Sequence, residues 1–452
     1  MSMNFTRQLV HLVTKVQFSD FSAATIDKAK IHLLDTLGAA LAGAHADEVE
    51  KTLGLIHSSG ESPLWGCKRR VAPRDAALIN GIAAHAYELD DCGGCDHSGA
   101  VVVPAMLALL PLASQPVSGK NLLIAQLMGY EGARRILEAC GGYETHNELG
   151  WHSTGTCGVF GAAIAAGLVL GLEEEKLIWA LGIAGSCAGG TWNFIHDGSG
   201  TKKLHAGRAA EGGVMAVLMA QAGFQGPTHI LEPHCWGSYF SSFGQDKGRA
   251  EILIENFGEN WRLNRCSLKP YATCRGTHSA IDALILICNN HNIKKADIAK
   301  IEVRLSHFQA GMCGGKIVSS RAQAQMSLAY ALAAQLTYGE VFLNQLDESA
   351  YNNNVIQDWI ARTDIIIDEA MLASAEPEIT LVLQEGQSFC ATVPYPLGSP
   401  QNPLSQSQTI AKFENLSQSV LTKAQIDRLI DMVLTLETIE RINELPQLLT
   451  KS

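Results

Sequence analysis

The chain has 452 residues, 47% of them hydrophobic and 17% charged, which is enough for a sizeable core in two or three domains and too apolar for a disordered protein. Lys and Arg number 34 against 45 Asp and Glu, a formal net charge of −11, which argues against a general nucleic-acid binder and against attachment to an anionic membrane surface. An anionic ligand must therefore find locally concentrated positive charge.

Met1 to Phe18 mixes charged and apolar residues and has neither an h-region nor a small-residue cleavage site. Ile26, Ala29, Leu33, Leu34, Leu37 and Leu41 recur at helical spacing, with Gly43 as a stop. Pro73 stands where a helix opens, and the pattern continues from Ala76 to Leu89. The most apolar run, Val101 to Ala113, carries two prolines and falls short of the roughly 18 residues that cross a bilayer, so no membrane span is expected. Gly155, Gly158, Gly161, Ala162, Ala165 and Ala166 line one helical segment with minimal side chains, which suits close helix packing. Their spacing matches neither a Walker nor a Rossmann phosphate loop.

The pattern changes after Lys269. Ile301, Val303 and Leu305 alternate with polar residues as in a half-exposed strand. Ile379, Leu381 and Leu383 form another, and Glu385-Gly386 can turn it into a hairpin with Ser388 to Val393. The stretch Met326 to Leu336 between them is helical in pattern. Pro394 to Gln408 reads as a linker, and the last 45 or so residues return to helix. The expected fold is mainly α, with helical residues 1–264 and 398–452 and an α+β unit over 265–397. Twelve cysteines scattered from Cys67 to Cys390 fit reduced, buried thiols of a cytoplasmic protein.

Four polar clusters could carry chemistry. The first, His85 to Gly99, contains Glu88, Asp90, Asp91, Cys92, Cys95, Asp96 and His97 after a helix. Acid–base chemistry is one reading; a zinc site of Cys92, Cys95 and His97 is another, although a fourth ligand and a paired motif are missing. In the second, Trp151 to Thr156, Ser153 and Thr154 can cap a helix or, with its free N–H groups, hold a carboxylate beside His152. The third, Asp197 to Arg208, gathers Lys202, Lys203, His205 and Arg208 beside glycines, the clearest anion-binding candidate in an acidic chain. The fourth, Lys269 to His278 with Cys274 and Arg275, falls where the fold pattern changes, a favoured place for a cleft. Cations and histidines together suit proton abstraction beside a carboxylate, and no cofactor motif accompanies them.

These landmarks, together with Leu34 to Gly43, the Asp90-Asp91 loop leading to His97-Ser98-Gly99, and Thr201 to Ala210, resemble the MmgE/PrpD family over nearly the whole chain. That family includes 2-methylcitrate dehydratase, cis-aconitate decarboxylase and iminodisuccinate epimerase. The resemblance implies a large helical domain built from both chain ends, an α+β lid, a cleft between them, a homodimer, and no cofactor or metal. It implies catalytic roles for His97, His152, Lys203, Asp90 and Asp91. Substrate contacts would come from Lys269, Arg275, Cys274, His278, Ser153, Thr154 and Cys92. Two departures stand out from the decarboxylase-like members: Glu88 replaces an aspartate, and Cys274 replaces a histidine. Their lid tyrosine has no convincing match within Phe308 to Gly315. The resemblance therefore implies a lyase acting on a small di- or tricarboxylate, dehydration foremost, with epimerisation next and cis-aconitate decarboxylation behind it. A zinc-stabilised interaction protein is the alternative of another class.

Overall fold

A computed structural model describes residues 4–245 and 248–451. The protein is mainly α-helical, with a small α+β region. Helix Ala23–Gly43 starts at Ser22, whose side chain accepts from the Thr25 N–H and satisfies one of the free donors of the first turn. Helix Pro73–His85 has proline in its first turn, where the missing N–H costs nothing. Every residue of helix Ser98–Leu109 is buried, as expected of a segment without a polar face. It packs among Pro73–His85, Gly119–Ala139, Gly158–Leu170 and Thr201–Gln221.

Small residues let these helices approach closely. A Cβ on Gly81 would lie 2.8 Å from the Cα of Gly207, so helices Pro73–His85 and Thr201–Gln221 touch backbone to backbone. That crossing brings the start of the second helix beside the loop that follows the first, and this juxtaposition builds the site.

The α+β region has a four-stranded sheet in the order Thr363–Ile367, Ile298–Leu305, Glu378–Leu383, Ser388–Ala391. The first pair is parallel and the other two antiparallel; Ile301 faces Leu381 and Val303 faces Ile379. The alternation read from the sequence is realised, with Ile301, Val303, Leu305, Ile379 and Leu381 all buried. They pack on helices His278–His291 and Leu328–Tyr338. The last helices, Gln406–Ser417 and Lys423–Leu434, return to the first core through Phe413, Leu429 and Val433, while Ala39, Leu89 and Leu416 join the second core.

Several boundaries differ from the sequence reading. The helix opened by Pro73 ends at His85 rather than Leu89, because Glu88 takes a left-handed conformation with φ 55°. The glycine-lined segment breaks at Cys157 into Ser153–Thr156 and Gly158–Leu170. The cationic cluster, given no element in the sequence reading, is helix from Thr201 onward. The linker is shorter, since Ser405 already caps helix Gln406–Ser417. Among the described residues one helical stretch, Ser153–Leu170, is long and apolar enough to cross a membrane, and it is buried inside the bundle.

Candidate active site

The left-handed turn at Glu88 swings its carboxylate into the helix crossing, where it is fully buried. Lys202 and Lys203, at the start of helix Thr201–Gln221, donate to its Oε1 at 2.7 and 2.6 Å, and Lys269 donates to Oε2 at 2.9 Å. Burial alone would raise the Glu88 pKa, but the three ammonium groups hold it well below the usual carboxylate range. Burial pushes Lys203 down from 10.5 to about 8, whereas Glu88 and Asp90 outweigh burial at Lys269 and raise its pKa. One carboxylate cannot neutralise three ammonium ions. Asp90 and Asp96, also held ionised nearby, supply further negative charge, so the positive charge is concentrated at the lysine end of the cluster.

Beside it lies a chain of imidazoles and carboxylates. His85 Nδ1 meets Asp90 Oδ1 at 2.9 Å, and His97 Nδ1 lies 3.0 Å both from Asp90 Oδ2 and from the Asp91 carbonyl. The His97 and His152 Nε2 atoms each lie 3.5 Å from Asp96 Oδ2. Asp96 reaches that point from a left-handed conformation, φ 103°. Burial opposes its ionisation, but His97 and His152 outweigh it and hold the acid well below its ordinary pKa. Asp90 is held low in the same way by His85 and His97. Burial lowers His85 and His152 from 6.5 to about 3, so both are neutral imidazoles near neutral pH.

A cleft of about 360 Å³ opens onto this cluster. Glu88, Cys92, Asp96, His97 and Lys202 line its inner wall, and Cys274, Arg275, Phe308, Met312 and Glu376 line the side belonging to the α+β region. The volume suits a small organic acid. Tyr143, from the helical side, places its hydroxyl 3.4 Å from Asp96 Oδ2 and near Met312. A tyrosine thus reaches the cleft from outside the stretch Phe308 to Gly315.

The residues singled out from sequence occupy different stations. His97, Cys92, Cys274 and Arg275 border the cleft. Arg275 is not a free cation, because it is paired with Glu376 at 2.7 Å. Lys203 and Lys269 lie behind Glu88, and it is Lys202 that reaches the wall. His152 is fully buried and meets the cleft through Asp96. Asp90 orients His97. Asp91 is a brace: it accepts from Tyr130 at 2.6 Å and from the Gly99 N–H at 2.8 Å, and contacts His32 at 3.0 Å. Ser153 and Thr154 are buried, with the Thr154 hydroxyl 3.3 Å from His152 Nε2. His278 packs against Tyr271, 3.4 Å from the Thr273 carbonyl, away from the cleft wall.

Ligand-type atoms converge in two groups among the described residues, His85–Asp90–His97 and Asp96–His97–His152. Neither contains a cysteine. The alternative Cys92–Cys95–His97 zinc grouping is not assembled among the described residues, since Cys95 lies in the helical core and accepts from Ser98 at 3.3 Å. Burial raises the Cys92 thiol to about 12, which disfavours the thiolate a metal needs.

Fold and cleft together define a candidate active site, in which buried carboxylates, imidazoles and lysines stand between the helical and the α+β regions. The chain belongs to the MmgE/PrpD family: residues 7–250 match the MmgE/PrpD N-terminal domain and residues 271–438 the C-terminal domain. It is 28% identical to a cis-aconitate decarboxylase-like protein of Aspergillus oryzae, over 99% of this chain and 97% of that protein. It is 27% identical to a cis-aconitate decarboxylase of Aspergillus terreus, over 98% and 95% of the two chains. With the human cis-aconitate decarboxylase the identity is 26%, over 99% and 95%.

Proposed function

We propose that the protein is a lyase acting on a small di- or tricarboxylate by proton abstraction beside a carboxylate, with dehydration as its reaction. The observation that carries this is the set of three lysines on one buried glutamate, directly beside the His97–Asp96–His152 corner. Removing a proton beside a carboxylate builds negative charge on that group, and fixed positive charge already oriented toward the cleft lowers the barrier. In the dehydration, a C–H bond gives its proton to one histidine. Its electrons form the C=C bond, and the neighbouring C–O bond breaks with hydroxide leaving as water on a proton from the acid. Two separate proton carriers suit that division of labour.

Decarboxylation is the second reading, favoured by the names of the relatives matched over almost their full length. Against it stands Cys274, a thiol kept neutral by burial on the cleft wall, at a position where the family resemblance puts a histidine in decarboxylases. Proton NMR of the purified protein with 2-methylcitrate, citrate and cis-aconitate separates the two. Dehydration converts a hydroxy acid to an alkene acid without gas. Release of CO2 from cis-aconitate, with both hydroxy acids untouched, would replace dehydration by decarboxylation.

A further inference from the structure

His205 stands three residues after Lys202, on the same side of helix Thr201–Gln221. Its Nδ1 lies 2.9 Å from His152 Nδ1. Two neutral imidazole nitrogens at that distance share one proton, so one ring donates and the other accepts. The remaining nitrogens decide which. His97 Nδ1 faces two acceptors, Asp90 Oδ2 and the Asp91 carbonyl, and therefore carries the proton of that ring. With Nδ1 so engaged, Nε2 is the nitrogen of His97 at which a further proton can be taken up or lost, 3.5 Å from Asp96 Oδ2. An ionised Asp96 can only accept, so the His152 nitrogen that meets its Oδ2, Nε2 at 3.5 Å beside the Tyr143 hydroxyl at 3.4 Å, is the one that carries a proton. With its proton on Nε2, His152 has a bare Nδ1, and the shared proton belongs to His205.

The surroundings hold both rings to this arrangement. The Gly190 carbonyl accepts from the His152 N–H at 3.0 Å, and the lack of a Cβ at Gly190 leaves room for the His205 ring. A Cβ there would fall 3.1 Å from His205 Cγ. Phe194 meets both imidazoles edge-on, at centroid distances of 5.7 Å for His152 and 5.9 Å for His205.

We infer that His205 is a positioning residue that fixes His152 as its Nε2–H tautomer, making His152 the proton donor at the Asp96 corner and His97 Nε2 the proton acceptor. The inference rests on the acid–base reading of the two histidines and assigns their roles within it.

Three variants test it. In His205→Asn the amide N–H can take the place of Nδ1–H. His205→Phe keeps a ring against Gly190 and removes the donor. His205→Asp offers an acceptor instead and should move the His152 proton to Nδ1. The readout is the tautomer of His152 from 15N NMR of the labelled, ligand-free protein, assigned with His152→Ala. The Nε2–H signature should persist in wild type and His205→Asn, become mixed in His205→Phe and invert in His205→Asp. On whichever of 2-methylcitrate, citrate and cis-aconitate the protein turns over, kcat should fall roughly 100-fold in the Phe and Asp variants with little change in KM, and recover in the Asn variant. An unchanged His152 tautomer in both the Phe and Asp variants overturns the inference. Full turnover in His152→Ala would overturn the acid–base reading instead, whatever the tautomer.

Discussion

Lys202 and Lys203 are neighbours in sequence, yet both ammonium groups close on the same oxygen of Glu88, at 2.7 and 2.6 Å. Consecutive helical positions point about 100° apart, and the buried carboxylate reconciles them by sitting between the two directions. Lys202 is left on the cleft wall and Lys203 behind it.

Different consequences follow for the two lysines. Lys202→Met should lower kcat/KM by about 100-fold or more, because it removes the charge facing substrate, and should also lower the melting temperature, because it breaks a buried ion pair with Glu88. Lys203→Met should lower the melting temperature to a similar degree, because its side chain is equally buried on the same Glu88 oxygen, but should cost less in kcat/KM, because Lys203 stands behind the cleft wall. Kinetics and thermal melts of the two variants check this; equal kinetic losses would contradict the division.

Glu88→Gln removes the counter-charge and leaves three lysines together in the interior. Breaking a buried ion cluster at one partner costs about 3–5 kcal/mol. Added citrate should restore part of the loss by binding the uncompensated ammonium groups, so the variant's melting temperature should rise with citrate more steeply than the wild type's. A wild-type melting temperature in Glu88→Gln would show that the cluster carries no such strain.

Acid should unfold the protein early. Burial, above all, lowers His85 and His152 to about 3 and His205 to about 4, from 6.5. The unfolded chain takes up these protons from about pH 6.5 downward and the folded chain does not, so their contribution to stability is full above that pH and declines toward pH 3 to 4. Glu88, Asp90 and Asp96, held low in the fold, act with the same sign below about pH 4. Melting temperature should therefore drop between pH 7 and 5, before ordinary carboxylates titrate. A flat profile there would contradict the buried neutral histidines.

On the alkaline side, Lys203 loses its proton near pH 8, and the pocket loses one positive charge. Substrate affinity should weaken as pH rises through that value, and kcat/KM should show a descending limb that Lys203→Met lacks.

If the α+β region closes over the cleft, a bound carboxylate should slow hydrogen exchange around residues 308–312 and 373–376 as well as around 92–97, because all three segments line it. Protection confined to 92–97 would leave the cover out of the binding event.

Much of this site was legible in the sequence, and the limits have physical causes. The strand at Ile301 to Leu305 and the hairpin at Glu385-Gly386 announce themselves by local alternation and turn chemistry. The four polar clusters do converge, but the sequence cannot say which member of each faces the cleft. Lys202 and Lys203 differ only by helix phase, set by the contact of Gly81 with Gly207. Asp96 and Glu88 owe their positions to left-handed backbone at non-glycine residues, which no spacing rule signals. His205 is visible in its cluster, but its partner is 53 residues away and adjacent only after folding.

The central claim is that His97 and His152 move a proton at the carbon beside a substrate carboxylate. Deuterium incorporation in heavy water, followed by NMR on the recovered substrate, measures that step directly wherever the abstracted proton exchanges with solvent before it returns. The wild type should exchange that carbon-bound proton. His152→Ala should retain exchange while net turnover falls by roughly 100-fold to 10,000-fold, and His97→Ala should lose both. Full turnover in both variants would contradict histidine acid–base catalysis at this site.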